Sequence, residues 1–344
     1  MNNFLKTGWR NLAKHKLHSF INVFGLSVGV AVCLLIVYFV WYERSWDKMH
    51  ARAGRIYRLN EQQDLPGMAL QRVSYTMYPM GPALKQEYSQ VESYTRLLPS
   101  SQKLISNADK QLVFKKAFWV DQSFLDIFDF PLAFGNKISA LSQPNSAILT
   151  ENSANKIFGE TNVVGKTFLR DTTPFTVTAV MKDIPENSHL QLEALFSIVT
   201  IDGEEYRNNW NENFLGTYLL LKPGVDATQF EKQLPAFVAK HINPQFAGNY
   251  KLYLQPIEKI HLGSTDMTHD EWNYKAFNGS RIYTFMALTV IILIIAFVNF
   301  INLSIAASGS RAKEVAIKKT VGASKARISL QFIGETALLT LLSF

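Results

Sequence analysis

The chain has 344 residues, of which 47% are apolar and 18% charged. That charged share lies below the roughly 25% of an average soluble domain and excludes an intrinsically disordered chain. A single cysteine, Cys33, excludes an internal disulfide framework and a multi-cysteine zinc site. The net charge is +7, which would suit nucleic acid, so the placement of the charges decides what it means.

Residues 1–18 carry Lys6, Arg10, Lys14 and Lys16 and no acid. Phe4, Leu5, Trp9 and Leu12 recur there at near-helical spacing, which predicts an amphipathic helix on the cytoplasmic leaflet. The alternative is a basic flank that only fixes topology. Residues 19–42 hold no charge, and roughly 20 apolar residues suffice to cross a bilayer as a helix. They are read as the first transmembrane helix. A cleaved signal peptide would have an apolar region of about 7–15 residues and a small-x-small site. This run is longer and ends in Val40-Trp41-Tyr42-Glu43. Gly25 and Gly29 form a GxxxG pair that lets helices approach. Tyr38, Trp41, Tyr42 and Trp46 cluster at the outer end as interface anchors.

Residues 43–281 carry 25 basic and 26 acidic side chains and are close to neutral. Leu112–Val120 and Phe175–Met181 are rich in strand formers, and Phe175, Val177 and Ala179 alternate with polar residues. Tyr218–Leu221 is a short strand ended by Lys222-Pro223-Gly224. Asp226 is placed to cap a helix carrying Phe230, Leu234, Phe237, Val238 and Ile242, with a kink at Pro235. Asp121 is placed to cap another, carrying Phe124, Leu125, Ile127 and Phe128. The domain is therefore read as mixed α/β, of the α+β kind.

Catalytic patterns fail in this stretch. Gly159 to Thr167 resembles a phosphate loop, but five residues separate Gly159 from Gly165 where the loop needs four. A strand also follows it instead of a helix. His261, Asp266, His269 and Asp270 are metal-ligand types without helical histidine spacing, and they read as a solvated loop. Asp126 and Asp129 read as a wet helix face. Neither a metal nor another cofactor is expected.

Residues 282–308 form the second uncharged span, with Asn299 and Asn302 on one face that needs a polar partner or another helix. Residues 309–327 carry Arg311, Lys313, Lys318, Lys319, Lys325 and Arg327 against Glu314. Residues 328–344 are uncharged except for Glu335 and read as the start of a third span, so the chain is expected to be part of a longer protein. The excess positive charge thus sits on the inner flank of each span. Basic flanks stay in the cytoplasm, so residues 43–281 are expected outside. This placement assigns the charge to membrane topology and not to nucleic acid.

The segment from Ser310 to Ile328 resembles the cytoplasmic segment of MacB/FtsX-like ABC transporter permeases. Arg311, Glu314, Val315, Ile317, Lys318, Gly322, Ala323 and Ile328 follow the family's pattern, with Ala316 where glycine is usual and Lys318 where arginine is frequent. Trp9 to Lys16, Phe24 to Gly29, Glu43 to His50, Arg55 to Arg58, Pro144 to Gly165, Val177 to Ser188 and Asn299 to Asn302 extend the likeness. The resemblance implies a multi-pass protein of the cell inner membrane, with transmembrane α-helices flanking a large extracytoplasmic domain of two subdomains. It implies a non-catalytic permease subunit that couples ATP hydrolysis by a cytoplasmic ATPase partner to work on a substrate outside the membrane. Arg311, Glu314, Val315, Ile317, Lys318, Lys319, Gly322 and Ala323 would carry that coupling. A second permease unit, membrane lipid, and a periplasmic adaptor or outer-membrane channel are the other implied partners. A two-span membrane sensor shares the topology up to residue 308. It would continue as a long heptad-bearing signalling helix, whereas this chain gives a basic segment and another apolar run.

Overall fold

A run of 24 residues with neither a charge nor a proline leaves the backbone nothing to interrupt a helix, and helix α1 spans Lys16–Glu43. The computed structural model describes residues 16–100, 104–107, 110–322, 324–326, 328–330 and 333–334. The expected amphipathic helix falls almost wholly outside the described residues. The chain divides into two units, residues 43–278 and a membrane unit formed by the segments on either side.

The central unit opens with β1 (Ile56–Gln63), β2 (Gln71–Val73) and β3 (Thr76–Met77), then α2 (Met80–Glu87) and β4 (Val91–Pro99). Next come β5 (Leu104–Asn107), β6 (Lys110–Val113), β7 (Ala117–Val120), α3 (Phe124–Ile127), β8 (Leu132–Gly135) and β9 (Ser146–Thr150). Helix α4 (Glu151–Phe158), β10 (Thr167–Arg170), β11 (Thr173–Met181), β12 (Ala194–Ser197), α5 (Glu204–Arg207) and β13 (Asn213–Leu221) follow. The unit closes with α6 (Ala227–Glu231), α7 (Leu234–His241), α8 (Pro244–Ala247), β14 (Tyr250–Pro256) and α9 (Ile260–Gly263).

The strands follow one hydrogen-bonded path, β14-β1-β13-β4-β7-β12-β9-β11-β10-β5-β6. Most pairs are antiparallel, but β9 runs parallel to β11 and β7 parallel to β12. A parallel pair needs a long crossover, and α4 lies within the one joining β9 to β11. The expected two subdomains appear as lobes of this single path and not as separate sheets. The reason is β4, whose nine residues pair with β13 from Val91 to Leu97 and with β7 from Leu97 to Pro99.

Three apolar clusters hold the layers. Phe168, Phe175, Phe196 and Trp119 fill one lobe, and Leu59, Met77, Phe230, Phe237 and Leu252 fill the other. A third cluster includes Ile56, Phe128, Ile148, Tyr218 and Trp272, taken from both lobes. Each fully buried phenylalanine contributes roughly 1.5–3 kcal/mol.

Several local expectations hold. Phe175, Val177 and Ala179 are buried while Thr176 is exposed. Asp226 caps α6 by accepting from the Thr228 and Gln229 amides at 2.8 and 3.3 Å. Gly159 ends α4 at φ 80°, and strand β10 follows, so the glycine-rich stretch is not a phosphate loop. Others need correction. Pro235 does not kink one helix but begins the second of two, α7, where its missing amide costs nothing. Asp121 caps no helix: its carboxylate takes the Arg96 guanidinium at 2.6 and 3.0 Å and the Arg96 amide at 2.7 Å. Trp46 is buried at 2% exposure, stacked 3.7 Å from His261, and is not an interface anchor.

In the membrane unit, the last long helix, α10, spans Ser280–Thr320. Val23–Glu43 within α1 and Ser280–Asn302 within α10 are long and apolar enough to cross a membrane, and almost none of either stretch is buried.

Candidate functional site

The two long helices of the membrane unit pack against each other through small residues. A Cβ added at Gly29 would fall 2.8 Å from Ala296 Cβ, and one at Gly25 would fall 3.2 Å from Asn299 Nδ2. Cys33 Sγ lies 3.7 Å from Thr289 O, and the Phe39 and Phe285 rings meet edge to face at 5.2 Å. Partners descend along α10 as they rise along α1, so the pair is antiparallel. The sequence-expected packing residues Gly25, Gly29 and Asn299 come together. Asn302 does not join them; it lies exposed on α10.

The sequence-expected coupling residues lie on and just past the end of α10. The helix has 41 residues, about 60 Å at 1.5 Å per residue, roughly twice a bilayer core. Residues 309–320 therefore continue the second span without a break, and the expected boundary at 308 is not a change of structure. Positions 311 and 314 are helical, but the side chains of Arg311 and Glu314 lie outside the described residues, as does Ala323 altogether. Val315 and Lys318 are half-buried, while Ile317 is 58% exposed and Lys319 is exposed. Gly322 ends the helix at φ 88°, the left-handed conformation that favours glycine. Ile317 and Val321 are thus apolar side chains left uncovered among charged ones.

The central unit holds buried polar clusters that pattern reading missed. His261 and Asp270 were expected in a solvated loop, yet His261 is 2% exposed and the Asp270 side chain 10%. Asp270 pairs with the fully buried Arg58, which also donates to Gln255 Oε1 at 2.9 Å and Ser264 Oγ at 3.0 Å. Asp266 and His269 do remain exposed. Asp126 keeps an exposed side chain, while Asp129 accepts from the Ala51 amide at 2.8 Å. Among the described residues no group of three or more His, Cys, Asp or Glu side chains could hold a metal ion.

His50 and Glu61 are among the titratable groups that stand far from their ordinary range. Burial pushes His50 down to about 4, so it stays neutral. Its Nδ1 accepts the Asp129 amide at 3.1 Å. Burial pushes Glu61 up to about 8 against the hydrogen bonds from Gln63 and Asn213. Glu61 sits in the run Asn60-Glu61-Gln62-Gln63, whose polarity hides strand β1 from any apolar pattern. A hollow of about 200 Å³ lies beside Thr150, Lys156, Asp183 and Glu193. Its carboxylates already cap the backbone amides of Asn152, Lys115 and Lys116.

The structure defines a class: a chain with two antiparallel helices long and apolar enough to cross a membrane, and, between them in the sequence, a mixed α/β domain. The chain belongs to the family of the MacB-like periplasmic core domain, whose model matches residues 19–237. Residues 286–344 match the FtsX-like permease C-terminal model. The macrolide export ATP-binding/permease proteins MacB of Salmonella choleraesuis and Salmonella typhimurium are each 22% identical over 98% of this chain and 50% of their own length. The chain therefore spans about half the length of the curated relatives it matches. A domain of a protein described as a permease, from Porphyromonas gingivalis, is 24% identical in its crystal structure. That likeness covers 60% of this chain and 91% of the other, with a TM-score of 0.53, and places the fold alone.

Proposed function

We propose that the chain is the permease part of an ABC transporter in the cell inner membrane, with residues 43–281 outside the cytoplasm. The observation that carries this reading is the joint family match. A periplasmic core domain model covers the first span and most of the domain, and a permease model covers the second span onward. The relatives' name joins ATP binding to a permease. Here the nucleotide chemistry falls to a cytoplasmic ATPase outside these residues, and this chain is non-catalytic. A second permease unit would complete the membrane part. ATP binding would move the spanning helices, and the domain would do work on an exported or extracted substrate. The sensor reading calls for a helix that runs on into the cytoplasm, and Gly322 ends α10 instead. The coupling role belongs to the end of α10, where Ile317 and Val321 stand exposed beside Lys318 and Lys319.

The test uses full-length protein expressed with the ATPase encoded beside it. Affinity capture of the permease should recover the ATPase, and ATP hydrolysis should depend on the pair. Recovery of no ATPase, with hydrolysis unchanged by the permease, would refute the reading.

A further inference from the structure

Glu43 is the last residue of α1 and the first of the central unit. The nine residues from Glu43 to Ala51 are tied down at three separate places in that unit. Glu43 is 8% exposed and holds His261 Nε2 at 2.6 Å, while His261 Nδ1 meets Lys275 O at 2.9 Å. Trp46 covers this ring face to face, the planes 2° apart.

Asp47 makes the second tie. It is fully buried and takes φ 57°, a conformation few side chains adopt and one that aspartate tolerates. Its Oδ1 accepts from the His189 amide at 3.0 Å and Ser188 Oγ at 3.2 Å, and His189 Nδ1 lies 2.9 Å away. Its own amide donates to Asn187 O at 3.0 Å. Asn187 Nδ2 returns a bond to Ser45 Oγ at 3.1 Å. The third tie is Ala51, whose amide meets Asp129 Oδ2, with His50 accepting from the Asp129 amide.

An ordinary linker between a span and a domain is exposed and loosely held. In this one Glu43, Trp46, Asp47 and His50 are buried, and Asp47 is held in a strained backbone conformation. Strain at a non-glycine residue persists only where surrounding contacts over-determine it. We propose that residues 43–51 are a clamp through which movement of α1 enters the domain, with Glu43, Asp47 and His261 as its positioning residues. The clamp distributes a pull to the stretch before β12, to the turn after β14 and to the loop after α3 at once. This rests on the permease reading above and names where that protein's motion is handed over.

The experiment is hydrogen exchange by mass spectrometry on the full-length permease with its ATPase in nanodiscs, comparing nucleotide-free with ATP plus vanadate. Wild type should change uptake in α1 and also in segments 185–192 and 257–264. In Asp47→Asn, chosen because asparagine tolerates the same φ, the change in α1 should remain. The change in the two segments should fall about fivefold or more, and nucleotide-free exchange at the His189 amide should rise about tenfold. Glu43→Gln, at the rim, should do the same for 257–264 and serves where Asp47→Asn fails to fold. A merely structural role would lower the unfolding midpoint and leave the nucleotide-dependent changes as in wild type, which overturns the clamp. Changes in α1 that never reach the two segments in wild type overturn it as well. No nucleotide-dependent change in α1 sinks the permease reading, and the clamp with it.

Discussion

Replacing Glu61 by glutamine should stabilise the central domain at neutral pH and flatten its dependence on pH. Glu61 is fully buried on β1, where its Oε2 accepts from Asn213 Nδ2 at 2.7 Å and Gln63 Nε2 at 2.9 Å. Glu61 Oε1 and Asn213 Oδ1 are both buried acceptors without a partner. A buried carboxylate oxygen that receives no hydrogen bond favours the neutral acid, which agrees with a carboxyl pushed up to about 8 from 4.5 by burial. The unfolded chain loses this proton near 4.5 while the folded one keeps it to about 8, so stability from this group is whole below 4.5 and falls as pH rises to 8. At about 1.4 kcal/mol per unit, the loss is about 3 kcal/mol by pH 7 and about 4 kcal/mol by pH 8.

His50 works in the opposite sense: its folded value near 4 lies below 6.5, so stability from it is lost as pH falls from 6.5 to 4. The difference between wild type and Glu61→Gln cancels that contribution. Glutamine keeps the shape, can accept from Asn213 Nδ2 and brings no ionisable group to desolvate. The assay is urea unfolding of residues 43–278 at intervals from pH 4.5 to 9. The variant should gain on wild type progressively up to pH 8 and hold its lead above it. Parallel stability curves for the two proteins would refute a protonated Glu61.

Other outcomes follow from the same structure. With Thr289→Cys added, native Cys33 should form a disulfide under mild oxidation, and Gly29→Val should lower its yield by forcing α1 from Ala296; an undiminished yield would count against the close approach. Asp121→Ala leaves the buried Arg96 guanidinium without its carboxylate and should cost roughly 3–5 kcal/mol in urea unfolding of the domain, whereas a loss under 1 kcal/mol would place Arg96 in water. Alkaline phosphatase fused after Asn187 should be active and after Lys325 inactive; the reverse pattern would invert the proposed topology. Glu314→Lys in the full-length protein should weaken recovery of the ATPase, since reversing a charge at a partly buried interface costs roughly 2–5 kcal/mol, and wild-type recovery would leave residues 309–327 as a topology signal alone.

The sequence by itself determined which two helices are long and apolar enough to cross a membrane, because a bilayer reads only local quantities. Uncharged length decides what can span, and basic flanks decide the expected side. The antiparallel contact of Gly25 and Gly29 with Asn299 and Ala296 was half legible, since small spacing announces that a helix can be approached but not by what. Asp226 at its cap was legible for the same reason: its partners lie within one turn. Asp121 misled because its partner, Arg96, is 25 residues away and a buried guanidinium outcompetes a helix end. Trp46, Asp47 and His261 were illegible, since their meaning lies in contacts across 142 to 218 residues of chain. Only the tertiary structure could join those side chains. It also decided that β4 would carry both lobes on one path and that a carboxyl in the polar run of β1 would lie without water. Desolvation and long-range pairing have no period in a sequence, so they emerge only when the chain folds.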